Sequence, residues 1–176
     1  VTPPVLLAPE SPATGDDLVA TLDGEPSDPD DDVVTLKISW FKNGQPMSSF
    51  DDKMTVGAVA TTLGDTWSVV VKSHDGHMYG NVSQEKVDVV NGLPSLESAT
   101  ITPAQAFTDT PLTCTGDGWS DPDGSEPAWT YAWTVAGAVA EGETQDLLPP
   151  ENFAKTQPVV CTLTPFDDWG NGEPVE

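Results

Sequence analysis

The chain has 176 residues and a net charge of -23, from 29 acidic residues against 6 basic ones, all of them lysine. So acidic a surface excludes nucleic acid and anionic membrane surfaces as natural partners, since both would repel it, and makes cations the expected company. No apolar run approaches the roughly 20 residues that span a bilayer and no signal peptide precedes Val1, so the chain reads as soluble and mature, or as a piece of something longer.

In chain order, Val1 to Ala8 is a β-branched, proline-marked lead-in, and Pro9 to Asp17 is rich in turn residues. Leu18, Ala20 and Leu22 then alternate with Val19, Thr21 and Asp23, the period of a half-buried strand. An acidic turn follows, Ser27-Asp28-Pro29-Asp30-Asp31-Asp32. Leu36, Ile38 and Trp40 form the inward face of the next predicted strand, and Asn43-Gly44 turns the chain, a pair that accepts positive φ well. Gln45 to Gly64 is less regular, with Met54 and Val56 marking its best strand. Trp67, Val69 and Val71 alternate again, His74-Asp75-Gly76-His77 makes a hairpin tip, and Val82 to Val90 supplies a final strand.

The same order then repeats. Ser120-Asp121-Pro122-Asp123-Gly124-Ser125 repeats the acidic turn, and aligning the two turns brings Trp40 over Trp133 and Gly44 over Gly137, each pair 93 positions apart. Leu112, Cys114 and Gly116 answer the first strand, Trp129, Tyr131 and Trp133 the second, Val159, Cys161 and Leu163 the third, and Phe166-Asp167-Asp168-Trp169 the tip. A period of this length fits two domains of small-sandwich size, 1-91 and 95-176. Neither copy holds a 3.6-residue apolar period of helical length, so the fold class is all-β.

These motifs resemble the tandem immunoglobulin-like repeats of large bacterial and archaeal cell-surface proteins, which are related in architecture to PKD and cadherin-like modules. The resemblance is carried by Asp17-Leu18, Ser27 to Asp30, Trp40 and Asn43-Gly44, and again by Leu112-Thr113-Cys114, Ser120 to Gly124, Tyr131 to Trp133, and Cys161 to Asp167. It implies two tandem immunoglobulin-like β-sandwich domains. It also implies a disulfide between Cys114 and Cys161, since a bridge crosses the immunoglobulin sandwich beside a central tryptophan, here Trp133; the alternative is two unrelated buried thiols. The first copy has Ala20 and Val69 at those places. A disulfide implies an oxidising compartment, and the Asn81-Val82-Ser83 sequon is compatible with secretion.

In such a sandwich the loops holding Asp121, Asp123, Asp167 and Asp168 lie at the end facing the linker Asn91 to Pro94, and those holding Asp28, Asp30, Asp32 and Asp75 lie at the matching end of the first copy. Two like charges about 4 Å apart repel by about 4 kcal/mol at an effective dielectric constant of about 20. A tight acidic cluster must therefore splay, protonate or bind a cation, and Ca²⁺, which accepts many oxygen ligands in flexible geometry, is the expected cofactor. The plainer alternative is a type I turn with a solvated acidic surface, which accounts for Pro29, Pro122 and Gly124 but not for the alternating acids.

No nucleophile-base pattern, phosphate loop or fixed acid-base pair points to catalysis, and the chain reads as a non-enzyme. His74 and His77 read as exposed turn residues, with a transition-metal pair as the alternative. Trp119 and Trp169 flank the acidic turns and form a candidate binding surface for a glycan or protein, or pack against a neighbouring domain; Trp129 shares the parity of the core.

After the tip, Tyr79 to Leu93 supply a last strand in the first copy, while the second copy has only Gly170 to Glu176, so its last strand is expected to be missing or barely begun. Either the chain is a fragment of a longer array, or a neighbour donates the strand, with Val1 to Ala8 as the candidate donor. The sum is a non-catalytic, extracellular, cell-surface repeat, a spacer or filament element with calcium-stiffened joints, whose partners are neighbouring repeats or identical subunits. A carbohydrate- or protein-binding module and a strand-complemented filament subunit are the alternatives.

Overall fold

The computed structural model describes Val1 to Glu176, which divide into two compact units, Val1–Gly92 and Leu93–Glu176. The first unit contains β1 (Val5–Ala8), β2 (Leu18–Leu22), β3 (Thr35–Lys42), β4 (Gln45–Pro46), β5 (Thr55–Val56), β6 (Thr66–His74) and β7 (Tyr79–Asp88). The second contains β8 (Ser98–Thr102), β9 (Leu112–Asp117), β10 (Trp129–Val135), β11 (Ala138–Val139), β12 (Leu147–Leu148) and β13 (Val159–Pro165).

Each unit is a β-sandwich of two antiparallel sheets. The first unit sets a 3-stranded sheet, β1-β2-β5, against a 4-stranded one, β4-β3-β6-β7. The second sets β12-β9-β8 against β11-β10-β13. The alternation in the sequence is what builds these faces: along β6 every second residue is buried, including Trp67, Val69 and Val71, and each inward side chain meets its counterpart across the layer.

The two copies share their special features as well as their strands. Trp40 and Trp133 are fully buried, and each donates its indole N–H to a backbone carbonyl at 2.9 Å, Lys53 in one unit and Gln145 in the other. Asn43 and Gly44 (φ 51° and 75°) turn β3 into β4, and Ala136 and Gly137 (φ 49° and 80°) turn β10 into β11. Both central residues of these two-residue loops need positive φ.

The cores differ in chemistry. In the first unit Trp67 packs edge-on against Trp40 (6.3 Å between ring centroids) and Phe50 (5.7 Å). In the second, Cys114 and Cys161 form the disulfide, with Cα atoms 6.4 Å apart, and Trp133 sits directly across from Cys161 in the β10-β13 register. Ala20 and Val69 take those places in the first unit, both buried.

Of the two expectations for the termini, one is revised and one is met. Val1 to Ala8 is not a free strand: β1 pairs with β2 from Val5↔Leu22 to Ala8↔Val19, and Val5 and Leu7 are buried in their own unit. The Asn81 side chain fixes the segment further, its carbonyl accepting the Thr2 N–H at 2.8 Å and its amide donating to the Thr2 carbonyl at 3.1 Å. The sequon asparagine is thus a pin for the first strand. In the second unit, the tail after β13 does return along it, but only as isolated bridges at Leu163↔Val175 and Phe166↔Asn171.

Candidate functional site

The acidic loops take their shape from their own first carboxylates. Asp28 accepts the N–H of Asp30 at 2.8 Å, and Asp121 accepts the N–H groups of Asp123 at 2.7 Å and Ser125 at 3.2 Å. At the tips, Asp75 accepts from His77 at 2.7 Å and Met78 at 2.6 Å, and Asp167 accepts from Trp169 and Gly170, both at 2.7 Å. An aspartate that folds back on backbone two or three residues ahead closes a tight turn without help from the rest of the fold. Two acids of each predicted set, one per loop, are therefore turn formers, and this accounts for part of the acidic alternation that proline and glycine leave unexplained.

Electrostatics follow that geometry. Donation from Met78 and then His77 holds the Asp75 carboxyl below its ordinary value of 3.8. Asp30, Asp32 and Asp168 are exposed, and Asp31 takes a left-handed φ of 61° at the crest of its turn. Asp121 differs, because its second oxygen is buried and has no hydrogen-bond partner.

The loops converge as the sandwich requires. Asp28 and Asp75 line one depression of about 220 Å³ together with Val1, whose amino group donates to the Ser27 carbonyl. In the second unit the corresponding pair is Ser95 and Ser120, which exchange backbone bonds at 2.8 and 3.0 Å. No three histidine, cysteine or acidic side chains form a group that could hold a metal ion. The eight predicted aspartates are not gathered into such a group.

The aromatic candidates separate. Trp119 is half-buried, stacked on Trp129 at 6.3 Å, and bound through its indole N–H to the Ser125 carbonyl at 3.2 Å, so it braces the acidic turn from inside. Trp169 is 70% exposed at its tip. His74 stacks on Tyr79 at 4.5 Å, and its Nδ1 accepts the Gly76 N–H at 3.1 Å, while His77 is exposed.

Two features escaped the sequence. Lys42 pairs with Asp65 at 2.6 Å in a half-buried setting and lies 5.6 Å from the Trp67 ring centroid, yet one residue ends β3 and the other lies in the loop before β6, where nothing in the sequence marks them as partners. The second is a groove of about 720 Å³ in the second unit, between the segment after β8 and the segment before β13. It is built from residues far apart in sequence, so no local pattern announces it.

No helix is long and apolar enough to cross a membrane. No family model matches the chain, and no curated protein matches it. Among solved structures it is similar to a segment of two fibronectin type-III domains from chicken tenascin, with a TM-score of 0.42 and 8% identity over 99% of this chain and 95% of that one. It is also similar to the FN1-FN3 domains of chicken CNTN1, with a TM-score of 0.33 and 10% identity over 99% of this chain and 66% of that one.

Proposed function

We propose that the chain is a non-catalytic, extracellular structural or adhesive repeat of a prokaryotic surface or appendage protein, a spacer or filament element whose partners are neighbouring repeats or identical subunits. The observation that carries this reading is that the loop-tip acids hold backbone turns at corresponding places in both copies. Loops held by their own carboxylates keep the end of each unit in a set conformation, which is what a repeat in a spacer needs. The Cys114–Cys161 bridge supports an oxidising and hence extracellular setting. The prokaryotic setting rests on the motif resemblance.

Calcium at the acidic tips is the finer element of this reading. It rests on the net charge of -23 and on the buried, unpartnered oxygen of Asp121. Thermal unfolding in millimolar Ca²⁺, in Mg²⁺ at equal ionic strength, and in chelator tests it. A Tm raised by Ca²⁺ beyond the Mg²⁺ value supports stiffened joints; an equal response to both ions removes calcium and leaves the acids as turn formers and solvated surface.

A binding module is the second reading, favoured by the exposed indole of Trp169. Glycan-array screening of the chain and of Trp169→Ala decides it. A hit that the substitution abolishes replaces the spacer reading with a carbohydrate-binding one, and no hit leaves the spacer reading in place.

A further inference from the structure

The tripeptide Asn81-Val82-Ser83 has the pattern that glycosyl transfer to asparagine requires. Such acceptors ordinarily sit in surface loops, but this one lies inside β7, with Val82 paired to Lys72 and Ser83 to Val71. Asn81 is exposed, yet both polar atoms of its side chain are taken: Oδ1 accepts the Thr2 N–H at 2.8 Å and Nδ2 donates to the Thr2 carbonyl at 3.1 Å. The Ser83 hydroxyl oxygen accepts the Val5 N–H at 2.7 Å. Both polar side chains of the tripeptide therefore hold one stretch of the lead-in, Thr2 to Val5. Thr2 is itself locked at 3% exposure: its hydroxyl donates to the Ser73 hydroxyl at 2.9 Å and accepts the Ser73 N–H at 2.8 Å. Gly80, next to the sequon, makes room for that pair, since a Cβ there would collide with the Ser73 hydroxyl.

Amide stereochemistry decides what a sugar at Asn81 would do. In the transfer, Nδ2 bonds to the anomeric carbon of an activated sugar and gives up one of its two protons, while the diphosphate that carried the sugar leaves with the bonding electrons. The product is a secondary amide, which, like the trans peptide bond, places its nitrogen substituent on the side of the carbonyl oxygen. A side-chain amide reaches the N–H and C=O of a single residue together only through the Nδ2 hydrogen on that same side. The sugar therefore takes the place of the hydrogen that the Thr2 carbonyl accepts.

We propose that Asn81 is a conditional glycosylation site: it accepts a sugar only while the first unit is unfolded, and a sugar on Asn81 and the seated lead-in exclude each other. In the folded chain a transferring enzyme meets an amide and a hydroxyl that are tied to Thr2 and Val5 and held in a paired strand. In a conjugated chain Thr2 loses the asparagine, leaves its place, and strands the N–H and hydroxyl of Ser73, a residue that is 3% exposed. The modification is thus a mark made before folding that frees the segment ahead of β1. This inference goes beyond the spacer reading and does not depend on calcium or on the binding of a glycan ligand.

The test has two arms. In the first, a purified oligosaccharyltransferase and a lipid-linked diphosphate sugar are given either the folded full chain or the peptide Met78 to Lys86. The peptide is expected to be glycosylated and the folded chain to react about a hundredfold more slowly, since a local opening must come first. Equal rates overturn the proposal, and so does a peptide that is not modified. In the second arm, the full chain from a glycosylating host, trimmed to a single N-acetylglucosamine at Asn81, is compared by amide hydrogen exchange with the same chain from a host that adds none. Exchange at Val5 and Ser73 is expected to quicken about tenfold or more in the conjugated chain, with Trp40 and Val69 as slow as before. Unchanged protection at Val5 and Ser73 overturns the exclusion. Loss of protection at Trp40 and Val69 as well also overturns it, because the sugar then unfolds the unit instead of freeing one segment.

Discussion

At the scale of single residues, an aspartate in a tight turn has two jobs open to it, and hydrogen-bond geometry separates them. Asp121 makes two bonds to backbone N–H groups through one oxygen. Bonds to a charged acceptor contribute about 1.5–3 kcal/mol each when buried, and partial exposure lowers that. Asp121→Ala is therefore expected to cost the second unit about 1–2 kcal/mol in urea unfolding, and Asp121→Asn, which keeps an acceptor oxygen, clearly less. Equal losses from the two substitutions would show that charge, and not the turn bond, is what matters. For Asp75 the consequence is pH dependence. Its folded carboxyl lies below the ordinary 3.8, held there by Met78 and His77, so the stability it adds is present above that value and is lost as pH falls through the lower folded one. Titration of the Asp75 carboxyl carbon by NMR should give a midpoint below 3.8, and Asp75→Asn should flatten the acid limb of the stability curve. A midpoint at 3.8 would remove the effect.

At the scale of elements, the long strands are legible in the sequence, and of the short ones only β5 is, marked by Met54 and Val56. The alternation along β2, β3 and β6 reports burial on one face directly, because each strand of an antiparallel sandwich has a core side and a solvent side. The two-residue strands β4, β11 and β12 are too short to carry a period, and they exist because neighbouring strands offer them an edge. The aspartates were visible at once, but their part in the turns was not, since a capping acid and a metal-binding acid look alike in sequence. Lys42 and Asp65 are hidden for the same kind of reason: their pairing depends on where β3 and the loop before β6 meet in space. Only the family resemblance marks the two cysteines as a pair, and the bridge stands where it implies. Closing its 47-residue separation contributes about 4 kcal/mol on the chain-entropy model. Cys114→Ser with Cys161→Ser should lose that and also bury two hydroxyls. Cys114→Ala with Cys161→Val, which copies the Ala20 and Val69 pair of the first unit, should retain about 1–2 kcal/mol more than the serine pair. Chemical denaturation of the two double variants makes the comparison, and equal stabilities would mean that the second core does not use the solution found in the first.

At the scale of the whole molecule, two copies of one architecture reach stability by different means. The first unit fills its core with Trp40, Trp67 and Phe50 and closes its end with Val87 and Val89. The second has Trp133 as its one fully buried aromatic, set among Leu148 and Leu163, the disulfide beside it, and an open groove where Val159 replaces the larger side chain. Removing the bridge should therefore act on one copy only. With reductant present, hydrogen exchange is expected to quicken across β10 and β13, since their unit loses a constraint of about 4 kcal/mol. Exchange across β3 and β6 should stay as it was, because that unit contains no cysteine. Raising the salt concentration is a different perturbation. It screens a net charge of -23 that both copies share, so it should slow exchange in both. If reductant instead quickens β3 and β6 in step with β10 and β13, the two copies unfold as one cooperative body, and the stability of each belongs to the pair.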